Sequence, residues 1–182
     1  MIPMAQILQE QGIFSIFLPG SEVPSWYSHQ KQNNSVSFAV PPLPSRKIRG
    51  LNLCIVYGLR NTDKKCATLY PPDAEISNKT KVLKWSYNPI VYGVPPIGED
   101  MLWLSHWRFG TDQLEVGDQV NVSASVTPDF QVKKCGVHLV YEQEDNYTLL
   151  NNEEIVQSSS IGFQTLVKKH VLEHPVSRVF DV

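Results

Sequence analysis

Hydrophobic and polar side chains alternate in short runs along most of the chain, and stretches rich in Pro, Gly, Asn and Asp separate these runs. The clearest run covers residues 119–126, where Val120, Val122, Ala124 and Val126 occupy every second position. A period of two is that of a β-strand with one face buried. The pattern therefore predicts strands over most of the chain.

Seven or eight strands are predicted in this way. Residues 51–59 are apolar on both faces apart from Asn52, which predicts a central strand covered on both sides. Pro19 with Gly20 ends the first run, because proline cannot donate to a sheet ladder. The other runs lie at 14–18, 36–40, 81–87, 101–107, 129–134 and 135–142.

This pattern predicts an all-β fold, an antiparallel β-sandwich of two packed sheets. We assign residues 13–150 to the sandwich and residues 1–12 to an N-terminal linker. Residues 151–182 form a C-terminal tail, in which residues 165–173 could form a short helix. A single domain of this size can bury a core of its own.

The composition and charge of the chain exclude some classes of function. The 182 residues are 42% hydrophobic and carry a formal net charge of −2, which is a globular profile without the basic stripe of a nucleic-acid-binding protein. No apolar run approaches the roughly 20 residues of a membrane helix, and the N-terminus lacks the pattern of a signal peptide. We therefore expect no nucleic-acid or membrane partner, and a location in the cytoplasm or the nucleus.

The three cysteines are Cys54, Cys66 and Cys135. They are widely spaced and form no C-x-x-C pair, which argues against a zinc ribbon or a redox motif. Cys54 and Cys135 lie within apolar runs, where a cysteine behaves as a small hydrophobic residue. We expect buried, reduced thiols; one disulfide with a leftover thiol is the alternative.

The common sequence signatures of enzymes are missing. The chain has no G-x-S-x-G, no H-E-x-x-H, no phosphate-binding loop and no dinucleotide fingerprint. The pair His170 and His174 has the spacing of two metal ligands on a helix, but Pro175 follows at once and favours a solvated helix end. We expect a protein that is not an enzyme and holds no metal or cofactor.

Three segments together resemble one protein family. Residues 17–30 read FLPGSEVPSWYSHQ, residues 50–57 read GLNLCIVY, and residues 132–142 read VKKCGVHLVYE. They are similar to the opening, an inner strand and the closing strand of the domain that follows the leucine-rich repeats in plant TIR-type nucleotide-binding immune receptors. A weaker fourth match is residues 101–104.

The resemblance implies a jelly-roll or Ig-like sandwich that takes part in sensing pathogen effector proteins, with the leucine-rich repeats of the same receptor as its second partner. Any NAD hydrolysis by such a receptor would belong to a TIR domain, which this chain does not contain. The motif residues would serve the fold or face the repeats: Pro19, Gly20, Pro24, Trp26, His29, Cys135 and Gly136.

Binding residues in sandwiches usually lie on the loops at one end. We therefore predict that loops 60–72 and 88–100 carry the partner-binding residues Arg60, Lys64, Lys65, Tyr70, Tyr92 and Pro95. Two alternatives stay open. The domain could be a purely structural cap of the repeats, or a carbohydrate-binding jelly roll that stacks sugars on Trp26, Trp103 or Trp107; burial of Trp85, Trp103 and Trp107 would argue against the second.

Overall fold

A computed structural model describes residues 6–10, 13–42, 46–60, 70–90 and 92–142. These residues contain strands and turns but no helix. The strands are β1 (Gln6–Glu10), β2 (Ile13–Pro19), β3 (His29–Lys31), β4 (Ser35–Ala39), β5 (Ile48–Leu59), β6 (Asp73–Asn78), β7 (Leu83–Tyr87), β8 (Asp100–Arg108), β9 (Gln119–Ser125) and β10 (Phe130–Tyr141).

The strands form two antiparallel sheets. A six-stranded sheet has the order β1-β2-β8-β5-β10-β3, and a four-stranded sheet has the order β4-β9-β6-β7. Side chains of both sheets share one hydrophobic core, so the sheets pack face to face. The predicted all-β antiparallel sandwich is confirmed.

The inner core is built by the alternation seen in the sequence. Val120, Val122 and Ala124 of β9 face the larger sheet and are at most 3% exposed. They meet side chains such as Leu53 and Val137 from the central strands of that sheet. The strand prediction for residues 119–126 is confirmed, and β9 ends one residue earlier, at Ser125.

A second apolar layer covers the outer face of the six-stranded sheet. Ile16, Leu18, Cys54, Val56, Leu102 and Leu104 are buried there together with Val23 and Tyr27. Val23 and Tyr27 come from the connection between β2 and β3, so this loop acts as a lid on the sheet. The central strand β5 is therefore buried on both faces, as its continuous apolar run predicted.

Several elements differ from the prediction. Strands β1, β3 and β6 were not predicted, and β1 lies within residues 1–12, the expected linker, where its backbone pairs with β2. The two predicted strands at 129–134 and 135–142 are one strand, β10, interrupted by a register shift between Val132 and Lys134. A β-bulge of this kind lets one strand continue while its facing changes.

Strand β7 begins at Leu83 and not at residue 81. Val82 has a φ of 57° and is 89% exposed, because it belongs to the turn between β6 and β7. A β-branched residue at positive φ cannot continue a strand. The predicted helix at 165–173, like the tail after 150, lies outside the described residues.

The pairing register fixes which connections lie together. Gly58 of β5 pairs with Asp100 of β8, and Ala74 of β6 pairs with Tyr87 of β7. The β5–β6 and β7–β8 connections therefore leave the sandwich at the same end, which we call the loop end. The β6–β7 turn and residues 109–118 lie at the opposite end.

Candidate partner-binding surface

The loop end carries large hydrophobic side chains that the fold does not bury. Tyr70 is 65% exposed, Ile90 79%, Val94 42% and Ile97 65%. Three of them belong to the β7–β8 connection, and Tyr70 belongs to the β5–β6 connection beside it. Single exposed apolar residues are ordinary, but several in one loop cluster are typical of a contact surface.

The β7–β8 connection is held in place by its middle residues. The Tyr57 hydroxyl donates a hydrogen bond of 2.5 Å to the Gly93 carbonyl oxygen. A Cβ built on Gly93 would come within 2.9 Å of Phe17 Cβ, so only glycine allows the loop to lie this close to β2. Burial, and secondarily Tyr92, raises the pKa of Tyr57, which keeps this hydroxyl protonated as a donor.

The anchoring continues toward β8. Pro95 is buried, and the Glu99 amide donates to the Pro96 carbonyl at 3.1 Å. Val94 and Ile97, on either side of this pair of prolines, stay exposed. Because the backbone of this part of the loop is already fixed, little conformational entropy is lost when these side chains bind a partner.

Charged groups among the described residues also lie at the loop end. Lys133 Nζ pairs with Asp100 Oδ1 at 2.6 Å, and this pair lies where β8 begins. Arg60 is exposed, and its backbone amide donates to the Asp129 carbonyl at 2.8 Å. The surface thus combines apolar side chains with a cation at its margin.

The predicted partner-binding residues fall into three groups. Arg60 and Tyr70 are exposed at the loop end, whereas Tyr92 is half-buried and Pro95 is buried as an anchor of the loop. Lys64 and Lys65 lie outside the described residues. The prediction missed Ile90, Val94 and Ile97, since no local sequence signal separates an exposed apolar loop residue from a buried one.

The motif that follows β2 is the lid on the outer face of the six-stranded sheet. Pro19 ends β2, and the Gly20 amide donates to the Asp100 carbonyl at 3.1 Å. The side-chain amide of Gln30 then donates to the carbonyl oxygens of Pro24 and Tyr27, at 3.1 and 3.0 Å, and fixes the curve of the lid.

The lid meets the closing strand β10. Strand β3 pairs with β10, with His29 opposite Val137. Lys134 Nζ pairs with Glu22 Oε1 at 2.5 Å, and the Trp26 ring stands edge-on to His138 at 5.4 Å. Two of the three segments that carry the family resemblance, residues 17–30 and 132–142, are therefore direct neighbours in the fold.

Most side chains of the motif contact other residues of the same domain. Trp26 is half-buried and stacks on Tyr27 at 4.2 Å, and His29 stacks on Phe38 at 4.1 Å, which joins β3 to the facing sheet. Cys135 and Gly136 are buried in β10. Most of these residues hold the fold together.

Residues 18–146 match the family model of the C-JID domain. The chain belongs to the C-JID family. This family is the C-terminal domain that follows the leucine-rich repeats of plant TIR-type nucleotide-binding immune receptors, so the resemblance noted in the sequence is confirmed. The match begins within β2, next to the lid motif, and runs past the end of β10. A comparison with curated proteins found no match.

Trp103 and Trp107 of this C-JID domain do not form a sugar-stacking platform. Trp103 is fully buried and Trp107 is 2% exposed. Their indole N–H groups donate to Ser15 Oγ and Ser105 Oγ at 3.1 and 2.9 Å. Trp85 is half-buried and packs against Phe109 at 4.8 Å. A carbohydrate-binding face needs exposed rings, so Trp103 and Trp107 are core residues.

The described part of the C-JID domain contains no helix that is long and apolar enough to cross a membrane.

Proposed function

We propose that this C-JID domain is a non-catalytic recognition domain of an intracellular plant immune receptor. Its loop end contacts a pathogen effector, and the domain packs against the leucine-rich repeats that precede it. The observation that carries the proposal is the exposure of Ile90, Val94 and Ile97 in the β7–β8 connection, which is anchored through Gly93 and Pro95. Any NAD hydrolysis belongs to the receptor's TIR domain and not to this domain.

Exposed apolar side chains are a cost to an isolated domain, because they promote association. Burying one large aliphatic side chain in a partner gains roughly 1.5–3 kcal/mol. Ile90 and Ile97 are therefore suited to be the central contacts of an interface. Arg60 and Tyr70 beside them are the residue types that are enriched in such contacts.

The strand register supports contact with the repeats. Gln6 of β1 pairs with Phe17 of β2, near the point where Pro19 of β2 pairs with Met101 of β8. The chain thus enters the sheet at the loop end. Because the repeats precede this domain in the family, they would join it close to the loops, and the two domains could contact one effector together.

The test uses the full receptor and its cognate effector. Ile90→Asp with Ile97→Asp should abolish the effector-triggered response and effector binding by co-precipitation. The melting temperature of the purified domain should stay within a few degrees of wild type, because exposed substitutions change stability by only about 0.5 kcal/mol. Val82→Asp is the matched control, since Val82 is 89% exposed at the opposite end.

The rival proposal is a purely structural cap of the repeats. In this proposal, too, the chain enters the sheet at the loop end, close to the repeats. The domain, however, does not contact the effector. Under this rival, the double variant would keep effector binding and lose packing against the repeats, seen as increased proteolysis between the domains. A receptor that responds normally with Ile90→Asp and Ile97→Asp, but fails with Trp26→Ala in a folded domain, would place recognition on the lid instead.

A further inference from the structure

A groove of about 420 Å³ opens at the end of the sandwich opposite the loops. One wall is residues 46–49, which lead into β5, and the other is residues 111–116, in the β8–β9 connection. Ile48 and Leu114 are buried in its floor, while Val116 is 54% exposed at its rim. Strand β5 runs between the two ends, so the groove lies roughly 35 Å from the loop end at about 3.3 Å per residue.

The negative charge of the acidic wall is compensated in part by a lysine of the same domain. Lys81 Nζ pairs with Glu115 Oε2 at 2.5 Å and with Asp118 Oδ2 at 3.7 Å, and it also donates to the Asp112 carbonyl oxygen. The Asp118 carboxylate is held further by the Asn78 side-chain amide at 2.6 Å. Lys81 carries one positive charge, so it offsets one of the three negative charges that Asp112, Glu115 and Asp118 bring to this side.

The basic wall is not compensated in the same way. Arg49 pairs with Glu142, but Arg46 and Lys47 are exposed and form no ion pair with the described residues. These two cations lie next to the apolar floor and to the exposed Val116. The groove thus presents unpaired positive charge beside an apolar contact.

We propose that this groove binds an extended acidic segment of a partner protein. Its carboxylates lie against Arg46 and Lys47, and an apolar side chain of the segment covers Val116. Clustered cations recognise acidic segments in many domains. The site goes beyond the proposed effector contact and is separate from it, so both can be occupied at once.

The test titrates the full chain with a fluorescein-labelled peptide of alternating Glu and Leu, followed by fluorescence anisotropy. Binding should weaken as NaCl rises from about 50 to about 300 mM. Arg46→Glu with Lys47→Glu should weaken it by about tenfold or more, and Val116→Asp should weaken it as well. Asp112→Asn, which removes a carboxylate from the facing wall, should tighten binding.

The matched control is Lys31→Glu with Lys79→Glu, which changes the net charge equally at exposed lysines outside the groove. Equal weakening by both double variants would mean that only overall charge is sensed and would overturn the proposal, as would an absence of binding. Glu144→Lys with Asp145→Lys tests the chain's own acidic residues as the occupant. Tighter peptide binding in this variant would overturn the assignment to a partner, and unchanged binding supports it.

Discussion

Gly136 of β10 lies directly beneath Val23 of the lid. A Cβ built on Gly136 would sit less than 3.0 Å from Val23 Cγ1 and 3.3 Å from Tyr27 Cδ1, so no larger residue fits without displacing the lid. This contact joins the motif of residues 17–30 to the closing-strand segment of residues 132–142. The closing strand needs a glycine where the first motif crosses it.

Gly136→Ala should therefore destabilise the domain by about 1–3 kcal/mol, the usual cost of overpacking a well-filled core. Val23→Ala alone should cost about 1–2 kcal/mol by removing buried methyl groups. In the double variant the two changes should compensate in part, because Val23→Ala removes the atom that Gly136→Ala would strike. The free energies of unfolding of all four proteins, from urea denaturation, form the double-mutant cycle.

Gly110→Ala is the control for this cycle. The atoms nearest to a Cβ at Gly110 would be those of the Gln113 side chain, at 3.4 Å and beyond, which is ordinary contact. Its effect should be within about 0.5 kcal/mol. Additive effects of Val23→Ala and Gly136→Ala would show that the lid does not rest on Gly136.

The sequence predicted those strands whose inward side chains are large and apolar. Strand β6 was missed because its inward residues are Ala74, Ile76 and Asn78, and only one of them is a large hydrophobic residue. Asn78 is 1% exposed, and its amide donates to the Gln113 carbonyl at 3.0 Å and to Asp118. Such a buried polar residue depends on partners distant in the chain, which periodicity cannot reveal.

The position of the candidate site in the fold could be predicted from the sequence, but the exposure of its individual side chains could not. Turn residues and the sandwich fold predicted two long connections at one end, and strand pairing does bring the β5–β6 and β7–β8 connections to the same end; that they bind a partner stays a prediction. Exposure of individual side chains is set by tertiary packing, so Pro95 was predicted as a contact and is buried. Ile97, two residues later, is exposed and was not predicted.

Val122→Asp tests the sandwich core. Val122 is fully buried in β9, between Val36 of β4 and Ile76 of β6 in the four-stranded sheet. An unpaired buried carboxylate costs several kcal/mol, against a typical domain stability of about 5–15 kcal/mol. We expect loss of the cooperative thermal transition in circular dichroism. The control is Ala39→Asp, at an exposed position of β4, which should melt at a temperature close to that of wild type. Similar melting temperatures for the two variants would refute the conclusion that Val122 of β9 faces the core.

Cys54 and Cys135 should react with thiol reagents only after unfolding. Both are free and fully buried, and burial raises the pKa of Cys135 to about 12. Burial, with Cys135 as a lesser cause, also raises the pKa of Cys54. Thiol titration of the denatured chain should find three groups, which correspond to the three cysteines of the sequence. A count of one would establish a disulfide and argue against a reducing compartment.

Stability should fall as the pH is lowered from about 7.5 to about 5.5. Burial lowers the pKa of His29, His106 and His138 below 6.5, and Arg108 and His29 lower those of His106 and His138 further. As the pH falls, these histidines therefore take up protons in the unfolded chain before they do so in the folded protein. The stability that they contribute is complete above their pKa in the unfolded chain. It is lost as the pH falls through their lower pKa values in the folded protein. Burial, and secondarily Glu75, raises the pKa of Asp73, which acts in the opposite direction. Urea denaturation across the range should show a falling free energy of unfolding, and His106→Gln should flatten the slope by removing one of the titrating groups. A free energy that stays level, or rises toward pH 5.5, would contradict the burial of neutral imidazoles.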